Sequence, residues 1–127
     1  MKHQLNNSEW NIISFLWDEQ PLTMTEIVKK MEDEQGWSKS TTKTVLKRML
    51  DKGIINYDRD QKPRKYYTAL KKEEVQFEET DSFVNRVFGG KLSLLVNNFV
   101  STGRMSREEI RQLQDILDQA EKKIGIR

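Results

Sequence analysis

Apolar side chains recur at helical spacing in three consecutive stretches before Gly53, which predicts three short helices. The first helix is expected to start from a cap at Ser8. Pro21 separates it from the second, because proline is poorly tolerated inside a helix. The apolar residues of the first helix that follow helical spacing are Trp10, Ile13, Leu16 and Trp17.

The second and third helices carry clear start and stop signals. The run Thr23-Met24-Thr25-Glu26 is a capping box, and Gly36 ends the apolar segment that follows it. Ser38 is a typical cap for the third helix, and Gly53 suits the left-handed position after its end.

Two strand-like runs follow, "IINYDR" at 54–59 and "RKYYTAL" at 64–70, and a turn at 60–63 makes them a hairpin. Three helices and then a hairpin is the order of a winged helix-turn-helix. From Lys71 the pattern is helical again, with breaks at Gly89-Gly90 and Gly103. The predicted fold is therefore mainly α with a small β hairpin: a winged-helix DNA-binding domain over 1–71 and a helical dimerisation domain over 72–127.

The third helix is amphipathic in an unusual way. One arc is apolar and expected to face the core: Thr42, Val45, Leu46, Met49 and Leu50. The opposite side carries small hydroxyls and bases with one acid, Asp51, near the end. Such groups can bond base edges or phosphates in a major groove, and a helix N-terminus offers amides to a phosphate. The predicted DNA-binding residues of this helix are Ser38, Lys39, Ser40, Thr41, Lys43, Thr44, Lys47 and Arg48.

The hairpin adds further bases, which would follow the neighbouring DNA backbone as a wing. Its predicted contacts are Arg59, Lys62, Arg64 and Lys65. The tyrosines at 57, 66 and 67 have strand spacing and are better explained by core and cross-strand packing.

The net charge of +2 conceals a strongly basic centre. Residues 1–35 hold three bases and seven acids, residues 36–72 hold eleven bases and three acids, and residues 73–127 hold eight bases and ten acids. A local basic segment between acidic flanks favours one polyanion-binding surface.

The chemistry that the sequence lacks argues against an enzyme. There is no cysteine, and the single histidine is His3. No phosphate-binding loop or metal-ligand spacing is present, so we expect no cofactor and no metal. The pairs Glu73-Glu74, Glu78-Glu79 and Glu108-Glu109 are interpreted as solvated or capping acids. Neither a signal peptide nor a long apolar span is present, which favours the cytoplasm.

The chain resembles the penicillinase-repressor family, the β-lactamase and methicillin-resistance repressors with their copper-responsive relatives. The resemblance lies in four segments: "SEWNIISFLW" at 8–17, "GWSKSTTKTVLKRMLDKG" at 36–53, "YYTAL" at 66–70 and "SFVNRVFGGKLSLLVNNFVSTGRMSREEIRQLQDIL" at 82–117. It implies a homodimeric repressor whose winged helices each bind half of an inverted-repeat operator. It also implies that a membrane receptor-protease triggers inactivation by cleavage at an Asn-Phe bond. Asn98-Phe99 matches that bond here.

Two departures from the family pattern affect what is carried over. Lys39 and Ser40 stand where the family often has Pro and Lys, so no operator sequence is carried over. The copper-responsive branch binds its metal through C-terminal cysteines, which this chain lacks, so copper sensing by that route is excluded.

The C-terminal segment is too apolar for a tail that follows a self-contained winged helix, and a two-fold dimer is the commonest solution. The predicted dimerisation residues are Phe83, Val87, Phe88, Leu92, Leu95, Val96, Leu113, Ile116 and Leu117. Asn97-Asn98 interrupts an apolar stretch before Phe99, so this stretch is expected to be less stable than the helices around it.

Two other functions fit the same fold. One is a winged-helix regulator released by a small-molecule ligand. The other is a winged-helix module for protein–protein assembly, which predicts apolar or acidic residues at 40, 44 and 47, where this chain has Ser, Thr and Lys.

Overall fold

A computed structural model describes residues 5–125, so His3 lies outside the described residues. The chain is divided into two compact units, the first ending at Glu79 and the second beginning at Thr80. The described residues form six helices and a three-stranded sheet, which confirms the predicted fold class. In chain order the elements are α1 (Asn7–Glu19), β1 (Leu22–Thr23), α2 (Met24–Gln35), α3 (Lys39–Asp51), β2 (Asn56–Tyr57), β3 (Lys65–Tyr67), α4 (Lys72–Phe88), α5 (Leu92–Ser101) and α6 (Arg107–Ile124).

The start of α1 differs from the prediction. Asn6, not Ser8, is the cap: its side chain accepts from the Glu9 amide at 2.9 Å, and Glu9 Oε1 accepts from the Asn6 amide at 3.1 Å. Asparagine caps as well as serine does, and the carboxylate three residues later completes a reciprocal box. The cap at Ser8 was therefore wrong by two positions along the chain.

The other predicted helix signals of the first unit are confirmed. Thr23 and Glu26 form the capping box of α2, and Gly36 ends that helix with a φ of 69°. At the end of α3, the amides of Gly53 and Ile54 donate to the carbonyls of Leu50 and Met49. These two hydrogen bonds are typical of an α-helix that is followed by a residue in the left-handed conformation. Gly53 suits this position because it has no side chain.

The sheet contains a strand that the sequence pattern did not reveal. β3 lies in the middle and pairs antiparallel with β2 on one side and with β1 on the other. The hairpin of β2 and β3, residues 56–67, is called the wing below. Its strands are shorter than the predicted runs at 54–59 and 64–70.

One apolar core holds the first unit together. It joins α1, α2 and α3 to the sheet and includes Val75 from the start of α4; its fully buried members include Ile12, Ile13, Leu16, Met31, Leu46, Met49 and Ile55. Trp17 lies at its edge and donates from Nε1 to the Leu70 carbonyl at 2.9 Å. This bond ties α1 to the chain that leaves the sheet.

The second unit is built differently, since α5 and α6 bury none of their side chains within the chain. A capping box formed by Ser106 and Glu109 starts α6. No helix among residues 5–125 is long and apolar enough to cross a membrane.

Candidate nucleic-acid interface

The N-terminal end of α3 is fixed by local hydrogen bonds. Ser38 Oγ accepts from the Thr41 amide at 3.1 Å and lies 3.0 Å from Thr41 Oγ1, so the two hydroxyls form a pair at the helix start. Within the described chain no backbone bond occupies the amides of Lys39 and Ser40, the first two of the helix. These amides therefore point out of the N-terminus, where they can meet an anion.

The predicted division of α3 into two faces is confirmed. Thr42, Val45, Leu46 and Met49 are buried, and Leu50 is half-buried beside them. The outer face of α3 is exposed throughout; it comprises Lys39, Ser40, Thr41, Lys43, Thr44, Lys47 and Arg48.

Two contacts organise the middle of this outer face. Thr44 Oγ1 donates to the Ser40 carbonyl at 3.0 Å, which leaves its oxygen able to accept a further hydrogen bond. Lys47 Nζ lies 3.4 Å from Asp51 Oδ2, with both side chains largely exposed. An exposed ion pair of this kind is worth at most about 1 kcal/mol, so Lys47 can exchange Asp51 for another anion at little cost.

The remaining bases of α3 are uncommitted within the described chain. The side chains of Lys43 and Arg48 form no hydrogen bond or ion pair with another residue of 5–125. Their charges therefore stand beside the hydroxyls without an ion-pair partner among the described residues.

The wing holds one of its bases by stacking. The Arg64 guanidinium lies over the Tyr57 ring, 4.3 Å from the centroid. The Tyr57 ring in turn meets the Tyr66 ring edge to face at 5.7 Å. Tyr66 is buried and Tyr57 half-buried, as expected for core and cross-strand packing, whereas Tyr67 is largely exposed.

The four predicted bases of the wing do not share one environment. Arg59 and Lys62 lie in the turn, together with Asp58 and Asp60. Lys65 instead pairs across the sheet with Thr23 of β1. It therefore lies near the start of α2 rather than at the tip.

Lys65 also contributes to the lowered pKa of Glu26. The Thr23 amide and then the Thr23 hydroxyl hold the pKa of the Glu26 carboxyl below its ordinary value, and the charges of Lys65 and Lys30 lower it further. Lys65 thus has an acidic neighbour at the start of α2.

One ion pair at α3 was missed by sequence reasoning. Lys52, the residue that caps the C-terminal end of α3, donates to both carboxylate oxygens of Glu9, at 2.9 and 3.2 Å. Glu9 is 0% exposed. Its capping position in α1 could have been read from the sequence, but its partner 43 residues away could not.

The predicted dimerisation residues lie where apolar surface is exposed. Phe83, Val87, Leu92, Ile116 and Leu117 are exposed, Ile116 by 62%. The other four are half-buried: Phe88, Leu95, Val96 and Leu113. Sequence reasoning did not include further exposed apolar side chains of the same unit: Leu94, Val100 and Ile124.

Asn98 and Phe99 lie inside α5, which continues through both asparagines to Ser101. The Asn98 carbonyl accepts from the Thr102 amide at 3.1 Å and from Thr102 Oγ1 at 2.8 Å. The Phe99 side chain is 42% exposed. The Asn98-Phe99 bond thus belongs to the last turn of a helix, with its carbonyl held at the helix end.

Comparison with known proteins agrees with the resemblance seen in the sequence. The family model described as Penicillinase repressor matches residues 5–119. The methicillin resistance regulatory protein MecI of Mammaliicoccus sciuri is 27% identical over 116 residues, which cover 91% of this chain and 94% of that protein. The penicillinase repressor of Bacillus licheniformis is also 27% identical, over 91% of each chain.

A solved structure supports the fold. The Bacillus licheniformis BlaI monomeric form in complex with the blaP half-operator aligns with a TM-score of 0.52 and 22% identity. The alignment covers 58% of this chain and 93% of that chain. The likeness confirms the winged-helix fold.

Proposed function

The chain belongs to the penicillinase repressor family, and we propose that it is a sequence-specific DNA-binding transcriptional repressor. The observation that carries this proposal is the outer face of α3, where exposed hydroxyls alternate with Lys43, Lys47 and Arg48. Hydroxyls reach base edges or phosphates at close range, and Lys and Arg bind phosphates or guanine. The relative BlaI has been solved with a half-operator, which supports the same class of partner here.

In the proposed complex, α3 lies in a major groove with its N-terminal half against the bases. The amides of Lys39 and Ser40 receive a phosphate at the groove edge. The wing follows the neighbouring backbone through Arg59, Lys62 and Arg64, with Arg64 pre-oriented by its stack on Tyr57. Lys65 contributes less than these three, because it lies beside β1 at the start of α2 and away from the tip of the wing.

The repressor acts as a homodimer on an inverted-repeat operator. The support is the apolar surface of α4, α5 and α6, whose exposed residues include Val87, Leu92 and Leu117. Many exposed apolar side chains on consecutive helices are typical of an interaction site, and a second copy supplies a matching surface by two-fold symmetry.

Induction follows from cleavage at Asn98-Phe99 by a membrane receptor-protease or by a protease that it activates. The support is the family membership and the exposure of Asn98 and Phe99 at a helix end. A protease binds its substrate in an extended form, so the last turn of α5 must open before the bond is cut.

A DNA selection experiment tests the central proposal. Full-length protein is used to enrich duplexes from a randomised pool, and affinities are then measured for an enriched and an unrelated duplex. Lys47→Ala should weaken binding to the enriched duplex by about 1–3 kcal/mol, the worth of a base contact. Arg64→Ala should instead weaken binding to both duplexes and reduce the salt slope by about one.

A matched control is available on α2. Lys29 forms an exposed ion pair with Asp33 at the same four-residue spacing as Lys47 and Asp51. Lys29→Ala removes the same charge from a similar environment and should leave the preference for the enriched duplex unchanged. If no sequence is enriched, or if Lys47→Ala binds like Lys29→Ala, the proposed groove contact is wrong and the assembly module gains support.

A further inference from the structure

Glu9 stands apart among the acids of the described chain, because its carboxylate is buried and serves two helices at once. Oε1 accepts from the Asn6 amide at 3.1 Å and from Lys52 Nζ at 3.2 Å, and Oε2 accepts from Lys52 Nζ at 2.9 Å. Asn6 caps α1, and Lys52 caps α3. One side chain therefore fastens the end of α3 to the start of α1.

Stability alone is a poor explanation for such a pair. The Glu9 side chain is 0% exposed whereas that of Lys52 stays 43% exposed, and the cost of desolvating the carboxylate offsets much of the attraction between the two charges. What the pair supplies is a constraint on the orientation of α3. The other tertiary contacts of α3 are made by apolar side chains such as Val45, Leu46 and Met49, and apolar contacts resist separation more than they resist rotation. The two charge-assisted bonds from Lys52 Nζ to the Glu9 carboxylate hold the C-terminal end of α3 to one point on α1, which limits the rotation of the helix.

The angle of α3 matters because the helix is long compared with the tolerance of a base contact. Its thirteen residues span about 20 Å, so a rotation of about 3° about its C-terminal end moves Ser38 by about 1 Å. Binding constellations need to be held to within about 0.5 Å. A small loss of alignment at Lys52 would therefore be felt at the hydroxyls of the first turn.

We propose that Glu9 is a positioning residue for DNA recognition: acting through Lys52, it fixes the angle at which α3 presents its outer face to the bases. The inference rests on the proposed function. It assigns Lys52 to Glu9 rather than to a phosphate, although Lys52 belongs to the most basic segment of the chain.

The structure offers a control pair whose carboxylate is more exposed, since the Glu19 side chain is 49% exposed and that of Glu9 is 0% exposed. Lys30 of α2 donates to Glu19 of α1 at 2.8 Å, which is also an ion pair between two helices of the first unit, but it does not involve α3. The double variants Glu9→Gln/Lys52→Met and Glu19→Gln/Lys30→Met each remove one carboxylate and one ammonium. Both leave the net charge unchanged, and neither leaves a buried charge without its partner. Glutamine at position 9 can still accept from the Asn6 amide, so the cap of α1 is retained.

The measurement is the affinity of full-length protein for the enriched duplex and for an unrelated duplex, at several salt concentrations, well below the melting temperature of each variant. Glu9→Gln/Lys52→Met should bind the enriched duplex about tenfold more weakly, as expected for the loss of one base contact. Its affinity for the unrelated duplex and its salt slope should equal those of the wild type. Glu19→Gln/Lys30→Met should match the wild type on both duplexes.

Three results would overturn the inference, and they are distinguishable. If both double variants keep the wild-type ratio of the two affinities, the Glu9–Lys52 pair is structural only. If Glu9→Gln/Lys52→Met loses affinity for both duplexes and its salt slope falls by about one, Lys52 is itself a phosphate contact. If the wild-type protein enriches no duplex, the proposed function fails and the inference fails with it.

Discussion

The hydroxyl of Thr42 is a buried polar group without a partner among the described residues. Thr42 is 0% exposed and lies on the core face of α3, next to Val45 and Leu46. An unpaired buried hydroxyl costs about 1–3 kcal/mol, since it gives up water without gaining a hydrogen bond. Thr42 thus destabilises the helix that carries the proposed DNA contacts.

Thr42→Val should therefore raise the free energy of unfolding by about 1 kcal/mol, because valine has nearly the same shape and no hydroxyl. Urea denaturation at one fixed protein concentration measures the change. Thr42→Ser serves as the control, since it keeps the hydroxyl, removes the methyl group and should destabilise. A lower stability for Thr42→Val would mean that the hydroxyl has a partner after all. DNA affinity should not change in either variant, because the side chain points away from the outer face.

The residues of α3 were predictable because helical periodicity alone separates a core face from an outer face. Thr42, Val45 and Met49 could be assigned to the core without knowing what they touch. The pairing of Glu9 with Lys52 was not predictable, since it depends on how two helices meet in space. A capping acid is usually solvated, and nothing in the sequence around Glu9 indicates that it is buried.

The same limit applies to whole elements. The strand β1 is only two residues long, and Leu22 and Thr23 also read naturally as the lead-in to α2. It is a strand because β3 provides a partner, so its existence depends on the sheet rather than on its own pattern. The cap of α1 was misplaced for a different reason: Asn6 and Ser8 are both good cap residues, and the prediction did not use the glutamate three residues after Asn6, which favours Asn6.

The start of α2 should make folding stability depend on pH. The pKa of Glu26 is lowered chiefly by its hydrogen bond from the Thr23 amide, so ionised Glu26 favours the folded state. That contribution is complete above the ordinary pKa and is lost as the pH falls through the lowered one. Glu26→Gln retains a capping side chain that does not titrate.

The wild type should be more stable than Glu26→Gln at neutral pH, and the difference should shrink below about pH 4.5, the ordinary value for this group. Other carboxyls titrate in both proteins and cancel in the difference. Thermal melts of the two proteins across this range make the measurement. A difference that stays constant with pH would contradict the role assigned to the Glu26 charge.

The last turn of α5 should control access to the proposed cleavage bond. Thr102 Oγ1 donates to the Asn98 carbonyl at 2.8 Å and so closes the helix end over that bond. Thr102→Val removes this bond but keeps the side-chain shape, so local opening should become easier. Chymotrypsin cuts after aromatic residues and so reports on the neighbouring bond, between Phe99 and Val100. It should cleave that bond faster than in the wild type, as followed by mass spectrometry. Cleavage at an unchanged rate would mean that Thr102 does not limit opening.

The whole molecule combines a self-contained winged helix with a helical unit that leaves much of its apolar surface in water. Residues such as Val87, Leu92, Ile116 and Leu117 are left exposed by the other residues of 5–125. A second copy would cover them and would also place two outer faces of α3 on one DNA. Because each winged helix then raises the local concentration of the other, assembly and operator affinity are coupled.

Removing the residues after Asn98 should break this coupling without altering α3. A chain that ends at Asn98 lacks α6 and the last turn of α5, whereas the whole core of the first unit remains. Sedimentation equilibrium should find the full chain dimeric and the shortened chain monomeric at micromolar concentration. Affinity for a complete inverted repeat should fall by about 10²- to 10⁴-fold, the usual worth of a second linked site. Affinity for a single half-site should stay the same, since the contacts of one winged helix are intact.

A monomeric full chain, or a shortened chain that still binds the complete repeat tightly, would contradict the dimer. A shortened chain that loses the half-site as well would mean that the removed residues support the winged helix itself.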